Sequence, residues 1–487
     1  MPNPSTERAT TATVDPPRRA AEVLIAMLLL LAGYVVAAGD PIVTDPGTYS
    51  PATTIVSGGL VSSNGGSFPP FTGIDIAQFI GADTFYAAGY AGGNAVVVNI
   101  EGGHVWNGHE SLGHVTQQFN GSDGPQIGEF DRHATWVGHA IGGRNPAGSS
   151  AAFERGIAYG ATMWSGAVAA QWTDPSPAPY SNSYSLGTFD NVDAGFYGPL
   201  AHGVGGVTAD VSNSSFGIDS DILGISFLTA ISDAVANETG KTMVWAAGNE
   251  GQNNDGTVNT NSVGGAGSGF NNITVAALGT DTSSPAYESV SDFSSRSPSS
   301  YFLPANAQGT TGLVFGDARA AVDIAAPGQN LTLAYYGGDQ GGNAFGGPVN
   351  NGDDFYSRNM EGTSFAAPIV SGGATLVVDA IRGEFSGAAE DEGVDGRVVK
   401  AILLNSADKI TGWDNGQSDV GGVIETQQSL DYASGAGRIS LDTAFTQVTV
   451  GTASVPGVGG GTVEAIGWDR GEVAEGTPSD YIIDPIL

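Results

Sequence analysis

The stretch from Thr363 to Ile381 constrains the fold more than any other. Its residues are mostly small or apolar, so it reads as a helix with no face suited to water, one that has to be covered on nearly all sides. In Asn359-Met360-Glu361-Gly362-Thr363-Ser364-Phe365-Ala366-Ala367-Pro368 a Gly and a Thr bring the backbone into that helix, and Ser364 stands on its first turn. Pro368 is expected near enough to the start to remove only a donor that has no partner inside the helix. A hydroxyl so placed feels the positive end of the helix dipole, which favours negative charge developing beside it.

The middle of the chain alternates apolar runs with helix-like stretches, the pattern of a mostly parallel sheet with crossover helices. Ala95 to Ile100 reads as a buried strand, and Arg132 to Ala140 as a helix capped by Asp131 and stopped by Gly142 and Gly143. Ile222 to Asn237 reads as a helix ended near Gly240, and Thr242 to Ala247, Asn272 to Leu278 and Ala321 to Ala326 as further strands, the last closed by Pro327 and Gly328. A second late helix is expected over Arg397 to Ser406, whereas Gln171 to Val207 has no clear period and reads as an inserted surface loop. In such sheets ligands gather outside the carboxyl ends of the strands, and Glu101 and Asn249 both fall just past such an end.

The segment Gly362-Thr363-Ser364-Phe365-Ala366-Ala367-Pro368 resembles the nucleophile motif of the subtilisin-like serine proteases, the subtilases, and other matches stand in that family's chain order. His133-Ala134-Thr135-Trp136-Val137-Gly138-His139 is similar to the family's His-Gly-Thr-His-Val-Ala-Gly, with Ala at 134 and Trp at 136 as departures. Val244-Trp245-Ala246-Ala247-Gly248-Asn249 resembles its Ala-Ala-Gly-Asn motif, and Val211 to Gly217 resembles the strand segment that lines the substrate cleft. Phe293-Ser294-Ser295-Arg296, Asp323 to Gly328 and the turn Gly435 to Arg438 extend the resemblance over about residues 78 to 445.

The resemblance implies an α/β, subtilisin-like fold, a mostly parallel twisted sheet between helices in three layers. It implies Ser364 as nucleophile, His133 as base, Asn249 as oxyanion donor, and Ser215, Phe216, Gly217, Ala247 and Gly248 as substrate-binding residues. By position the family's orienting Asp corresponds to Glu101, in Ile100-Glu101-Gly102-Gly103. A Glu carboxylate can still hold an imidazole N–H, but its extra methylene moves the oxygens by about 1.5 Å, so the backbone at Glu101 has to sit further back. The implied activity is that of a secreted serine endopeptidase working on polypeptide through an acyl-enzyme. The alternative is a catalytically inactive, subtilase-like surface or peptide-binding module.

Composition narrows the partners. With 16 Lys and Arg against 50 Asp and Glu the net charge is −34, which repels nucleic acid and anionic membrane surfaces. Solvation in a salty medium or structural Ca2+ would fit such a balance; the Ser/His/Glu chemistry requires no cofactor, and no metal ligand is assigned. Arg8, Arg18 and Arg19 precede an apolar run from Val23 to Ala38 ending in Val36-Ala37-Ala38, which reads as a signal peptide over residues 1–38 of an exported bacterial protein, secreted, periplasmic or at the cell surface, with no stable membrane partner after cleavage; the alternative is an uncleaved anchor. The chain has no cysteine and thus no disulfide framework. Residues 39–77 read as a Gly/Ser/Pro-rich linker, 78–445 as the peptidase domain, and 446–487 as a short β-like tail or the start of an incomplete β-domain.

Two histidine patterns are set aside. His109-Glu110-Ser111-Leu112-Gly113-His114 is one residue longer than the zinc-protease motif, and on a helix its two rings would point about 140° apart. His139 lies about 240° round the helix from His133, so the two do not share a face.

Overall fold

The computed structural model describes residues 41–44, 48–49, 74–120, 129–172, 183–186, 193–217, 223–280, 286–303, 312–338, 340–344 and 356–448. The expected signal peptide, most of the expected linker and all of the expected tail beyond residue 448 lie outside them.

Seven strands form one parallel sheet: β1 (Val96–Glu101), β2 (Gln117–Asn120), β3 (Thr162–Ala167), β4 (Val211–Ser214), β5 (Thr242–Ala246), β6 (Ile273–Leu278) and β7 (Ile324–Pro327). Their order is β7-β6-β5-β4-β1-β3-β2, and every neighbouring pair is parallel. The helices that bear on it are α1 (Arg132–Gly142), α2 (Phe227–Thr239), α3 (Thr363–Glu384), α4 (Gly396–Ser406) and α5 (Leu441–Val448).

The period of two along the strands builds the layers. Val97, Val211, Val244 and Val275 join a core with Val137 of α1, Ile369 and Leu376 of α3 and Ile402 of α4. Their neighbours Val96, Val98, Ile100, Met243 and Trp245 face the other way and pack with Leu228 and Val235 of α2. Each aliphatic side chain fully withdrawn from water contributes about 1.5–3 kcal/mol, so both faces of the sheet stabilise the chain and neither can be left bare. The result is the three-layer α/β architecture expected from the motifs.

The helix α3 is buried without a break from Thr363 to Ile381 and packs against α1 and strands β4 to β7. The one charge in that run, Asp379, is 1 % exposed. Its carboxylate accepts the backbone N–H groups of Gly92 (2.7 Å), Gly93 (3.0 Å) and Asn94 (2.9 Å) and the Asn94 side-chain amide (2.8 Å). The turn before β1 is thereby tied to α3. Gly372 allows a second close approach, since a Cβ there would lie 2.6 Å from the Ile157 Cβ.

Several expectations are corrected. Pro368 lies beyond the first turn, because the helix starts at Thr363; the N–H it lacks is the one that would reach the carbonyl of Ser364, four residues back. The second helix begins at Phe227, where the Ser226 hydroxyl accepts the Thr229 N–H, and runs to Thr239 before Gly240 turns it at φ +65°. The strand expected over Ala321 to Ala326 is Ile324–Pro327, ending on the proline that closes it. Within the expected loop Gln171 to Val207, Ala169–Trp172 and Ser183–Leu186 pair antiparallel, and Asp193–His202 is a π-helix containing Pro199. Four-residue strands are too short for a period to show. The expected linker also contributes structure. Pro41–Thr44 pairs antiparallel with both Ser183–Leu186 and Phe216–Gly217, Thr48–Tyr49 pairs with Met360 and Glu361, and Ile76–Phe79 is helical. The expected tail begins inside α5, which continues to Val448 and is helical there rather than β-like.

Asp379→Ala is expected to lower the free energy of unfolding by about 2–3 kcal/mol, because it removes the acceptor of three backbone donors, of which the one at Gly92 is buried. Urea denaturation of both proteins measures this; a loss below about 1 kcal/mol would show that those donors find water or other partners.

Candidate active site

The sheet order turns between β1 and β4: from β1 the chain goes outward to β2 and β3, then returns across β1 to start the other half at β4. A crevice opens at the carboxyl ends of the strands where such an order reverses. Glu101 is the last residue of β1, and Ser215 follows the last residue of β4.

Glu101 is completely buried, and both of its oxygens are occupied. Oε2 lies 3.0 Å from His133 Nδ1, and Oε1 accepts the Ser215 N–H at 2.9 Å. Burial raises the pKa of its carboxyl above the usual value, while the His133 beside it and the Ser215 N–H pull it back. With Glu101 ionised, Nδ1 of His133 has to carry the proton of their bond, which leaves Nε2 as the basic nitrogen.

His133 is set by the start of α1. Asp131 caps the helix, its carboxylate accepting the N–H groups of His133 and Ala134, each at 3.2 Å. The approach to the cap is pinned to the segment after β1, for the His104 N–H donates to the Glu129 carbonyl and the Asp131 N–H to the His104 carbonyl, both at 2.8 Å. Gly103 makes this possible, since a Cβ there would lie 2.8 Å from the Glu129 oxygen. Trp136, one turn on, donates its indole N–H to Ser357 Oγ at 3.1 Å and packs edge-on to Phe365.

Ser364 stands on the first turn of α3, and its hydroxyl donates to the carbonyl of Ser215 at 3.2 Å. The Ser215 hydroxyl in turn donates to the carbonyl of Ser364 at 2.9 Å. Phe365, its neighbour, lies with its ring 6.0 Å from that of His133. Asn249 follows the end of β5, and its amide oxygen accepts both the N–H and the hydroxyl of Thr363 at 3.0 Å. That engagement fixes which way the amide lies and leaves its N–H donors on the opposite side. Thr363 is a site residue the motifs did not single out, although it stands directly before Ser364; its hydroxyl also accepts the Gly248 N–H at 3.1 Å.

The structure thus gathers Glu101, His133, Ser215 and Ser364 through direct contacts, and links Asn249 to the residue before Ser364. Gly248, at φ +102°, has no room for a Cβ, which would lie 2.9 Å from the Ser295 hydroxyl. Ala247 is buried, its N–H paired with the Val275 carbonyl at 3.0 Å. The Phe216 side chain packs inward against Tyr184 and Trp245 and is 3 % exposed, so any contact of this residue with a peptide would have to be made by its backbone. Gly217 and Phe216 pair there with Val43 and Thr44.

The remaining histidines lie apart. His109 and His114 occupy a run of turns, and the ring of His109 instead approaches those of His139 (6.3 Å) and Tyr356 (5.0 Å). Among the described residues no three His, Asp or Glu side chains converge as metal ligands would. Burial lowers the pKa of His139 to about 3 and that of His114 to about 4, from an ordinary 6.5. Both are neutral in the folded protein and protonate on unfolding, so their effect is absent above pH 6.5 and grows as the pH falls towards 4. Each costs about 1.4 kcal/mol per pH unit in that window. The melting temperature is expected to drop between pH 7 and pH 5, and less steeply in His139→Phe; equal slopes would remove His139 from the account.

Residues 103–437 match the sequence model of the subtilase family. The match opens at Gly103, so Glu101 stands just outside it. Among solved structures the chain is similar to fervidolysin from Fervidobacterium pennivorans, a keratinolytic enzyme related to subtilisin, at 19 % identity and a TM-score of 0.48. That likeness covers 76 % of this chain and 45 % of the other, so the chain spans under half of that protein's length. No curated protein matches it.

Proposed function

The chain belongs to the subtilase family, and from that premise we propose that it is an exported serine endopeptidase with a Ser364/His133/Glu101 triad. The observation that carries the proposal is the 3.0 Å contact between Glu101 and His133 in a site that also holds Ser364. Glu101 fills the place of the family's Asp, and its longer side chain still reaches the imidazole from the end of β1.

In this reading the Ser364 hydroxyl turns from the Ser215 carbonyl towards Nε2 of His133 and attacks the scissile carbonyl carbon as the proton passes to that nitrogen. Glu101 holds the Nδ1 proton and stabilises the imidazolium. The carbonyl oxygen, now negative, is met by the Asn249 amide and the backbone N–H of Ser364 at the helix start. His133 returns the proton to the leaving amine, and water attacks the acyl-enzyme by the same route. The substrate is a polypeptide, which the backbone of Ser215 to Gly217 would receive as an added strand. The acyl transfer draws on no cofactor, and structural Ca2+ is compatible with it. The charge balance and the apolar N-terminal run support export.

A fluorophosphonate reacts with activated serines, so the protein is expected to be labelled at Ser364, and Ser364→Ala or His133→Ala to abolish labelling. A folded protein that takes no label would favour the inactive peptide-binding module.

Glu101→Asp draws the carboxylate back by about 1.5 Å and stretches its bond to His133 beyond hydrogen-bonding range. Turnover of an unstructured protein substrate is expected to fall by a factor of about 100 to 10,000. A rise in turnover would show that Glu101 is a relic in a site still shaped for Asp.

A further inference from the structure

The carbonyl of Ser364 belongs to a helix that cannot complete its own ladder at this point, because the residue four positions on is Pro368, which has no N–H to offer. The Ser215 hydroxyl supplies a donor instead, at 2.9 Å. That hydroxyl is itself held, since the Asn213 side-chain amide donates to Ser215 Oγ at 3.1 Å and to Asn99 Oδ1 at 3.3 Å. The Asn99 amide then donates to the carbonyl of Ala134 at 3.0 Å. On its other side Asn213 accepts the Ser371 hydroxyl at 2.8 Å.

These contacts form one continuous chain from the residue after His133, through β1 and β4, to the nucleophile. Asn99, Asn213 and Ser215 are all without solvent exposure. Its directions are forced. Turning the Asn213 amide over would set its oxygen against the Asn99 oxygen, and turning Asn99 over would set its oxygen against the Ala134 carbonyl. An asparagine in the middle of a buried strand is otherwise a costly choice, because an apolar residue would fill the site without needing partners.

We propose that Asn99, Asn213 and Ser215 are positioning residues, a buried hydrogen-bond chain that replaces the N–H missing at Pro368 and holds the helix of Ser364 in register with the helix of His133. This link does not pass through Glu101. It rests on the serine peptidase reading for its effect on turnover and on the geometry alone for its effect on α3.

The test is a double-mutant cycle of Ser215→Ala and Pro368→Ala, read both in thermal unfolding and in peptide hydrolysis. Ser215→Ala alone is expected to lower the melting temperature and to lower kcat about tenfold, with KM changed less than about twofold. In the Pro368→Ala background an alanine N–H can reach the Ser364 carbonyl, so the same Ser215→Ala change should lose most of both effects. Asn99→Val, which strands one N–H of the buried Asn213 amide, should lower kcat with KM changed less than about twofold when assayed well below its melting temperature, an outcome that a purely structural role would not give. Equal effects of Ser215→Ala in the two backgrounds, or wild-type kcat in Asn99→Val, would overturn the proposal. If the wild type hydrolyses no peptide, the melting arm of the cycle still decides the inference, and the peptidase reading fails separately.

Discussion

A carboxylate with no access to water is the constraint on which the centre of this protein depends. Withdrawing such a charge costs several kcal/mol unless its oxygens are bound where they come to rest. Glu101 meets that condition with one bond to an imidazole and one to a backbone N–H. The first fixes the start of α1 relative to the end of β1, and the second fixes the end of β4. Because β1 and β4 are the pair between which the sheet order turns, the same two bonds define the floor of the crevice.

Two departures from the family motif, at 134 and 136, lie beside that floor. Trp136, where the family motif has His, brings a ring that spans from α1 to the strand Tyr356–Glu361, which leads into Ser364. Its indole N–H reaches Ser357 and its ring touches Phe365, while Arg132 lies over its face at 5.6 Å. Ala134, where the family has Gly, contributes the carbonyl that Asn99 holds. Both differences therefore fall on the boundary between α1 and the elements packed against it.

Much of this was legible in the residues. A run such as Thr363 to Ile381 has a single charged member and could only lie inside; Asp131 before Arg132 and Gly240 after Thr239 are helix boundaries with local physical causes. The order of His133, Asn249 and Ser364 announced which loops meet. What escaped was decided by distant partners. Nothing local marks Pro41–Thr44 or Ser183–Leu186 as strands, because each is four residues long and its register is set by the other. Phe216 reads as a cleft residue by motif, and only the packing of Tyr184 and Trp245 shows its side chain turned inward. Asn99 looks like a flaw in an apolar strand until Asn213 is beside it.

The pairing of Val43 and Thr44 with Gly217 and Phe216 has a consequence for mass action. A strand edge accepts one partner at a time, so a peptide seeking that edge competes with a segment of the same chain. The competitor is tethered, and Thr48–Tyr49 hold it close by pairing with Met360 and Glu361. An intramolecular ligand on a short tether acts at an effective concentration on the order of millimolar. Free peptide at micromolar levels would lose that contest, whereas a cut between Tyr49 and the body of the domain would reduce the segment to an ordinary dilute ligand.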